Sequence, residues 1–442
     1  MAVSGIDPVG GNELVFEPKQ SDVLLYTHKT GIVATWEGDG WYDECRSWFE
    51  TSYIHAGISG FQLTITGPEA QKMLSDISIN NVYKWPIGKC KHLVQLDNEG
   101  LITNHALFMR DADDVFRTTA GIPNQIIGCL ESGAYDAKYA IDFVYIFQFS
   151  GPKSLTILEK LCECDLHDVG FLDTRKLVIP SLGIETELCR IGMSGTLAYE
   201  LRGPKDDGPA VYAAALEAGK EYGIKRLGWR SYPVNHSFGG FPQQTCSFET
   251  AMFKDPVFRE ASLAPFSPKG SIDPADERSR YRSLSEVNWL WMAKFDHDFI
   301  GRAAVEAEAA NPTRGIVTLI WNPEDIVDIY KSLWEEGEPY KFMEFPSGEQ
   351  QPAGGHQDYV LDASGNVVGW ASSPIYSSWY HKTISPCAID LAYAEPGTEL
   401  TLKWGDYGKR IKDVRVTVAK YPYIDADDNR DYDMSTVERG NK

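Results

Sequence analysis

Glu200 lies in the strand-like run 198–204 (AYELRGP). A carboxylate held on a strand can accept two adjacent N–H bonds without moving. An ion pair with Arg202 or Arg190 on the surface explains the same residue equally well. Tyr232, in the run 230–235 (RSYPVN), carries a hydroxyl able to give a proton or a hydrogen bond to a developing oxyanion. Simple packing beside Pro233 is the plainer account of it. Gln148 offers one donor group and one acceptor, although a glutamine on a strand is commonly just exposed. His297 stands between Asp296 and Asp298, a spacing that suits a metal or an ordinary surface turn. Other chemistries lack their signatures. No glycine-rich dinucleotide or phosphate loop follows a strand, and no pair of histidines has zinc-protease spacing. Gly192-Met-Ser-Gly195 misses the spacing of a hydrolase nucleophile turn.

Local patterns say which elements hold these residues. Residues 61–66 alternate apolar and polar, as a strand does. Gly67-Pro68 breaks the run, and Pro68 opens a helix over 69–77. The pattern recurs 84 residues later: a strand over 144–150, the break Gly151-Pro152, and a helix over 153–162. Two such units suggest related α+β substructures. Residues 208–223 have helical spacing and end at Gly223. Residues 262–290 are rich in Ser, Pro, Asp and Arg and read as a long loop. From about residue 313 the texture changes to short strands (315–321, 359–361, 367–370, 399–404, 413–418) separated by turns, which predicts a small β domain. The acidic tail after residue 425 reads as mobile.

Composition narrows the function further. Apolar residues make up 43% and charged residues 24%, the profile of a globular protein, and 442 residues suit two to four domains. A net charge of −21 disfavours nucleic acid and anionic membranes as partners. The eight cysteines (Cys45, Cys90, Cys129, Cys162, Cys164, Cys189, Cys246, Cys387) form no zinc-finger or redox spacing. They read as reduced thiols, and with no secretory leader or apolar run of about 18 residues the expected compartment is the cytoplasm.

Several segments, in order and spacing, carry a resemblance. Residues 189–204 (CRIGMSGTLAYELRGP), 294–302 (KFDHDFIGR), 63–74 (LTITGPEAQKML) and 147–158 (FQFSGPKSLTIL) are similar to the folate-site and strand-turn-helix elements of the aminomethyltransferase family. Residues 365–369 and 397–404 are similar to its C-terminal barrel. RSYPVN and KFDHDFIGR resemble most the tetrahydrofolate-dependent O-demethylases of vanillate and syringate. The resemblance implies an α+β, three-domain folate-binding cloverleaf ending in a β-barrel-like domain. It divides the chain into 1–50 with 147–262, 51–146, 300–425, and a tail 426–442. It implies tetrahydrofolate as cofactor, Tyr232 as catalytic, and Glu200, Gln148, Tyr199 and Phe241 as cofactor-binding, with Phe241 where the family has a tryptophan. In this reading Glu200 takes the N–H and NH2 of the pterin edge. No metal is expected.

The chain also departs from the family. His105 stands near the place of the glycine-cleavage enzyme's aspartate, which argues against aminomethyl chemistry. Ser59 and Gly121 stand where the vanillate-type enzymes have a histidine and an arginine against the aromatic acid. His55 and Arg117 lie close by and are the substitutes, and Tyr26 matches an N-terminal substrate tyrosine. The expected reaction is O-demethylation of a small methoxylated aromatic compound, giving a phenol and 5-methyltetrahydrofolate. Demethylation of a sulfonium or methylamine compound and aminomethyl transfer are the alternatives.

Overall fold

The computed structural model describes residues 14–26, 33–56, 60–119, 123–244, 246–261, 269–347, 356–425 and 428–440. Alternating apolar residues in the first half build one sheet of ten strands. A separate hairpin of β1 (Val23–Tyr26) and β2 (Val33–Glu37) and the helix α1 (Trp41–Glu50) precede it. The sheet consists of β3 (Tyr53–Ala56), β4 (Gly60–Thr66), β5 (Cys90–Leu96), β6 (Ile102–Ala112), β7 (Val115–Thr119), β8 (Lys138–Ser150), β9 (Thr174–Ile179), β10 (Ile184–Cys189), β11 (Ala198–Pro204) and the short β12 (Lys225–Arg226). Its order is β5-β6-β7-β4-β8-β11-β10-β9, with β3 lying between β8 and β12.

Strand β8 is the spine. Its first half pairs with β4 and its second half with both β3 and β11. The sheet curls until its ends meet. Lys89 bridges Asp173, the Cys90 N–H donates to the Leu172 carbonyl at 2.7 Å, and the Cys90 and Cys189 sulfurs lie 3.0 Å apart.

Both strand–Gly-Pro–helix units form as the pattern predicts, leading into α2 (Ala70–Ile77) and, after α3 (Asn124–Glu131), into α4 (Ser154–Cys162). The two glycines do the same work. Gly67 and Gly151 have φ of +133° and +124°, a region open essentially to glycine. A Cβ on either would come within 2.6 Å of a carbonyl oxygen, that of Asp136 or Thr51.

The last third closes into a barrel of six strands. It runs β13 (Arg314–Trp321), β14 (Gln357–Leu361), β15 (Val367–Ser372), β17 (Lys382–Asp390), β18 (Glu399–Trp404) and β19 (Lys412–Ala419), with β16 (Ile375–Ser377) appended to β17. Pairing of β13 with β17 completes the ring. The pattern of the sequence passes over β17 because Pro386 interrupts it, and proline is a poor member of a central strand. Here Pro386 faces Thr318 inside a continuous ladder.

The three largest apolar cores among the described residues lie around Tyr145, Phe147 and Phe149, around Leu63, Phe108 and Phe116, and inside the barrel around Val360, Leu402 and Trp404. The expected boundary between 146 and 147, however, falls within β8, so the first two units share one sheet. Two other expectations change. The stretch after 268 is irregular but not a free loop, because Leu284, Val287 and Trp289 pack on Val94 and Ile102. The tail 426–442 is docked rather than mobile over its described residues, 428–440. Asn429 is buried and donates to the Ala198 carbonyl, and Arg190 donates to the Asn429 carbonyl. Glu159 accepts from the Leu166 and Gly440 N–H groups, and His167 bridges Glu159 to the Val437 carbonyl.

The shared glycine geometry gives a test. Gly151→Ala should destabilise the fold by about 2–3 kcal/mol, from the strained φ and the backbone clash together. Gly88→Ala, at φ +77° with open space around the new Cβ, should cost about 1 kcal/mol. Urea unfolding of both checks this, and equal losses would contradict it.

Candidate functional site

Strands alternate their side chains, so residues directly opposite one another across a sheet share a face. The register places His55 opposite Gln148 and Gln148 opposite Glu200, one row across β3, β8 and β11. All three turn to the inside of the curled sheet. Their neighbours Ile54, Phe147, Phe149, Tyr199 and Leu201 turn the other way, into an apolar core. This corrects the expectation for Tyr199. It is fully buried on the opposite face from Glu200, so it is a core residue and not a wall of the site.

Glu200 is buried, and so is Arg202, two residues along on the same face. The Arg202 guanidinium pairs with Glu200 Oε2 and also reaches Met109 Sδ at 2.9 Å and Thr119 Oγ1 at 3.4 Å. The pair anticipated from the sequence therefore forms, in the interior and not at the surface. A carboxylate has about four lone-pair directions, and Arg202 takes one. Gln148 Nε2 approaches the other oxygen at 3.4 Å and the Tyr232 hydroxyl at 3.4 Å.

Tyr232 opens helix α6, which follows α5 (Gly208–Gly219) and spans Tyr232–Gly239. The Gly192-Met-Ser-Gly195 turn presses α6 against β11. A Cβ on Gly239 would fall 2.1 Å from the Met193 carbonyl oxygen, and one on Gly192 would fall 2.1 Å from the Ala198 Cβ. Small residues at these points let the helix that carries Tyr232 approach the strand that carries Glu200.

Tyr232 sits among aromatic rings. His55 lies face to face with it, centroids 4.1 Å apart at 12°. Trp229 and His236 meet its ring edge-on at 5.4 and 4.7 Å. Burial pushes the Tyr232 phenol above its usual range, so it stays protonated and able to donate. His55 Nδ1 donates to the Leu227 carbonyl at 2.8 Å, and burial lowers its pKa to about 4, so the ring is neutral.

Phe241 continues the wall. Its ring lies 6.4 Å from His236, 5.1 Å from His105 and 5.6 Å from His92, and Trp289 closes on His105 at 4.5 Å. His92 and His105 are enclosed by protein yet retain accessible surface, as residues lining an internal opening do. These residues form one connected series: Glu200 meets Gln148, Gln148 meets Tyr232, Tyr232 meets His236, and Phe241 links His236 to His92 and His105.

The other expected residues divide. His105, His55 and Phe241 reach the site. Arg117 does not. It lies on the same face but past Arg202, bonded to Asp111, Glu187 and Gln62, so its charge is already matched. It lines a separate cavity of about 690 Å³ with Asp142, Lys176 and Glu185. Tyr26 ends β1, and its side chain and all of Ser59 lie outside the described residues. His92, His236, Trp229 and Trp289 join the candidate site through ring contacts and are not singled out by the sequence reading. Arg202 carried the one available signal, its i+2 spacing from Glu200 on a strand.

The arrangement suits a flat, nitrogen-rich ring. Gln148 Oε1 is buried without a partner among the described residues, and the His236 ring has only the Phe241 backbone as a polar partner there; such groups call for a polar ligand. The Glu200 carboxylate keeps free lone pairs beside them.

Comparison with known proteins agrees. Residues 29–235 match the GCVT N-terminal domain. The chain is 32% identical to a sesamin methylene transferase of Sinomonas sp. over 411 residues, 88% of this chain and 90% of that one. It is 29% identical to a syringate O-demethylase of Sphingobium sp., covering 84% and 83%. The solved structure of the glycine cleavage system aminomethyltransferase T from Bartonella henselae superposes with a TM-score of 0.64 at 13% identity, over 91% of this chain and 94% of that one. This chain belongs to the aminomethyltransferase family. It is a folate-dependent methyltransferase, and tetrahydrofolate is its cofactor. The family's three-domain fold with a terminal barrel is the one described above.

Two predictions follow from the geometry of this family member. Glu200→Gln keeps a partner for Arg202 but removes the anion. It should weaken tetrahydrofolate binding by about 2–3 kcal/mol with the fold intact. Calorimetric titration decides, and unchanged affinity would leave Glu200 as a purely structural ion pair. Glu200→Ala is a poorer choice because it strands a buried Arg202.

The second concerns pH. Burial lowers His55 and His92 to about 4 and His236 to about 3, and burial with the neighbouring His92 also lowers His105. The unfolded chain binds protons on these rings near pH 6.5 and the folded chain does not. Stability should therefore fall as pH drops below about 6.5, by at most about 1.4 kcal/mol per pH unit for each ring. His167 runs the opposite way. Burial opposes its charge, but the Val437 carbonyl and Glu159 outweigh that and raise its pKa, so its contribution is lost as pH rises. Urea midpoints at pH 7.5, 6.5 and 5.5 measure the balance. A flat or rising profile towards pH 5.5 would contradict it.

Proposed function

We propose that this enzyme takes a methyl group from an oxygen on an aromatic ring and passes it to N5 of tetrahydrofolate, leaving a phenol and 5-methyltetrahydrofolate. The observation that carries this reading is the Tyr232 hydroxyl, a buried donor joined through Gln148 to Glu200. A departing phenolate needs such a donor, and a pterin edge needs such a carboxylate. The names of the two relatives, one acting on syringate and one on sesamin, support an aromatic substrate.

Tetrahydrofolate, when bound, supplies the nitrogen that receives the carbon. Glu200 accepts the paired N–H groups of the pterin edge, and Gln148 adds its amide. Tyr232 donates to the leaving oxygen as charge grows on it. His55, stacked on Tyr232 and anchored to the Leu227 carbonyl, holds the phenol ring at its angle. Trp229, Phe241 and Trp289 exclude water, so the donor acts in a medium where its hydrogen bond counts for more. All eight cysteines are free, which supports the cytoplasm as the compartment.

The similarity to a methylene transferase over nine-tenths of that protein's length favours a second reading, in which a methylene and not a methyl is moved. The product separates the two. The test incubates enzyme and tetrahydrofolate with methoxybenzoates, methoxyphenols and methylenedioxybenzenes, then identifies the folate formed. Tyr232→Phe should lower kcat and kcat/KM together by about 10²–10³ and leave folate affinity unchanged. The loss should shrink for phenols with electron-withdrawing groups. A mutant with near-full activity, or the same loss for every leaving group, would make Tyr232 a packing residue.

A further inference from the structure

His92 and His105 form a bonded pair that the reaction as described leaves without a task. They lie diagonally across β5 and β6, where Val94 faces His105 and His92 faces Leu107. His92 Nδ1 and His105 Nε2 are 2.9 Å apart. The rings are nearly coplanar, at 17°, with centroids 5.0 Å apart. That is the geometry of an in-plane N–H···N hydrogen bond, not of a face-to-face stack. Each bond of this kind needs one ring as donor and the other as acceptor, so the pair shares a proton while both rings are neutral.

The pair is firmly placed. The His105 backbone N–H donates to Gln244 Oε1 at 3.0 Å, and Gln244 Nε2 donates to the Thr103 carbonyl at 2.9 Å. Phe241 and Trp289 cover the rings. The outer nitrogens, His92 Nε2 and His105 Nδ1, have no partner among the described residues. No carboxylate or cation among those residues acts on either ring. Burial keeps both rings in the neutral, proton-accepting form.

The proposed reaction leaves a proton to be placed. The O–CH3 bond breaks and an N5–CH3 bond forms. N5 starts with a hydrogen and ends without it, while the leaving oxygen departs as a phenolate that accepts a hydrogen bond from Tyr232 and takes its proton from water on release. A proton acceptor is needed on the face opposite Tyr232. N5 lies on the edge of a pterin away from the N–H and NH2 that Glu200 would accept. Phe241 stands between His236, which meets the Tyr232 ring, and the pair His92 and His105. We propose that the His92–His105 pair is the base that accepts the N5 proton as the carbon arrives, with the shared hydrogen bond spreading the charge over two rings. This rests on the proposed direction of transfer, from substrate to folate.

Two measurements test it. His92→Asn and His105→Asn should each slow transfer by about 10²–10³-fold while tetrahydrofolate affinity changes less than about threefold. Added imidazoles should restore the rate, more so the stronger the base, which a merely structural histidine would not show. Variants that keep more than about a third of the rate, or rescue independent of basicity, overturn the proposal. The second measurement needs neither turnover nor a variant. In wild-type protein with 15N-labelled histidine, tetrahydrofolate should shift the paired ring-nitrogen signals and 5-deazatetrahydrofolate, which lacks N5, should not. Equal shifts with both ligands overturn the assignment. If no aryl ether is turned over, the proposed function fails, and this comparison still decides the histidine pair.

Discussion

The register of β8 against its two neighbours is the constraint on which the site depends. Because Gln148 faces His55 on one side and Glu200 on the other, three polar side chains form a row on the inner face of the curled sheet. A slip of β8 by one residue would send Gln148 into the apolar core and turn Phe147 or Phe149 to the polar face. That core supplies the penalty for slipping. Tyr145, Phe147, Phe149, Tyr199 and Leu201 are buried together behind the sheet, and none could face the polar interior without loss of burial.

Charge inside the ring is matched with little left over. Arg202 is buried; its two terminal nitrogens bond to Glu200, Met109 and Thr119, and its Nε–H has no partner among the described residues. Arg117 spends its donors on Asp111, Glu187 and Gln62. A buried ion pair contributes little net stability once desolvation is counted, so the value of Arg202 lies in fixing where the Glu200 carboxylate points. Four histidines held neutral by burial extend the same logic. Each can give or take a hydrogen bond without adding a charge to the cavity.

The site is assembled from remote parts of the chain, and close backbone contact holds them together. The 192–195 turn lets α6 reach β11, the 241–250 segment docks on β6 through Gln244 and Thr250, and residues 284–292 cover His105 with Trp289. The C-terminal segment closes the arrangement from behind, with Asn429 bonded to the Ala198 carbonyl just before Glu200 in β11.

The sequence by itself determined whatever depends on neighbouring residues. The two strand–Gly-Pro–helix units are legible because a glycine at positive φ followed by a proline just before a helix is a local requirement, met by Gly67-Pro68 and Gly151-Pro152. Most barrel strands are legible from their turns, and the motifs around Glu200, Gln148, Tyr232, Phe241 and His105 name them as candidates for the site. Even the error at Tyr199 was open to a local argument, since adjacent strand residues face opposite ways. Only the tertiary structure decided the rest. His92 and His236 look like any histidine on a strand or a helix until the sheet curls and α6 docks. Arg117 looks free until Glu187, 70 residues further on, is seen beside it. The acidic tail looks soluble and loose until His167 and Glu159 are found to hold it. In each case the deciding partner lies far along the chain, and which distant strands and turns meet is set by the burial of whole faces rather than by any short run of residues.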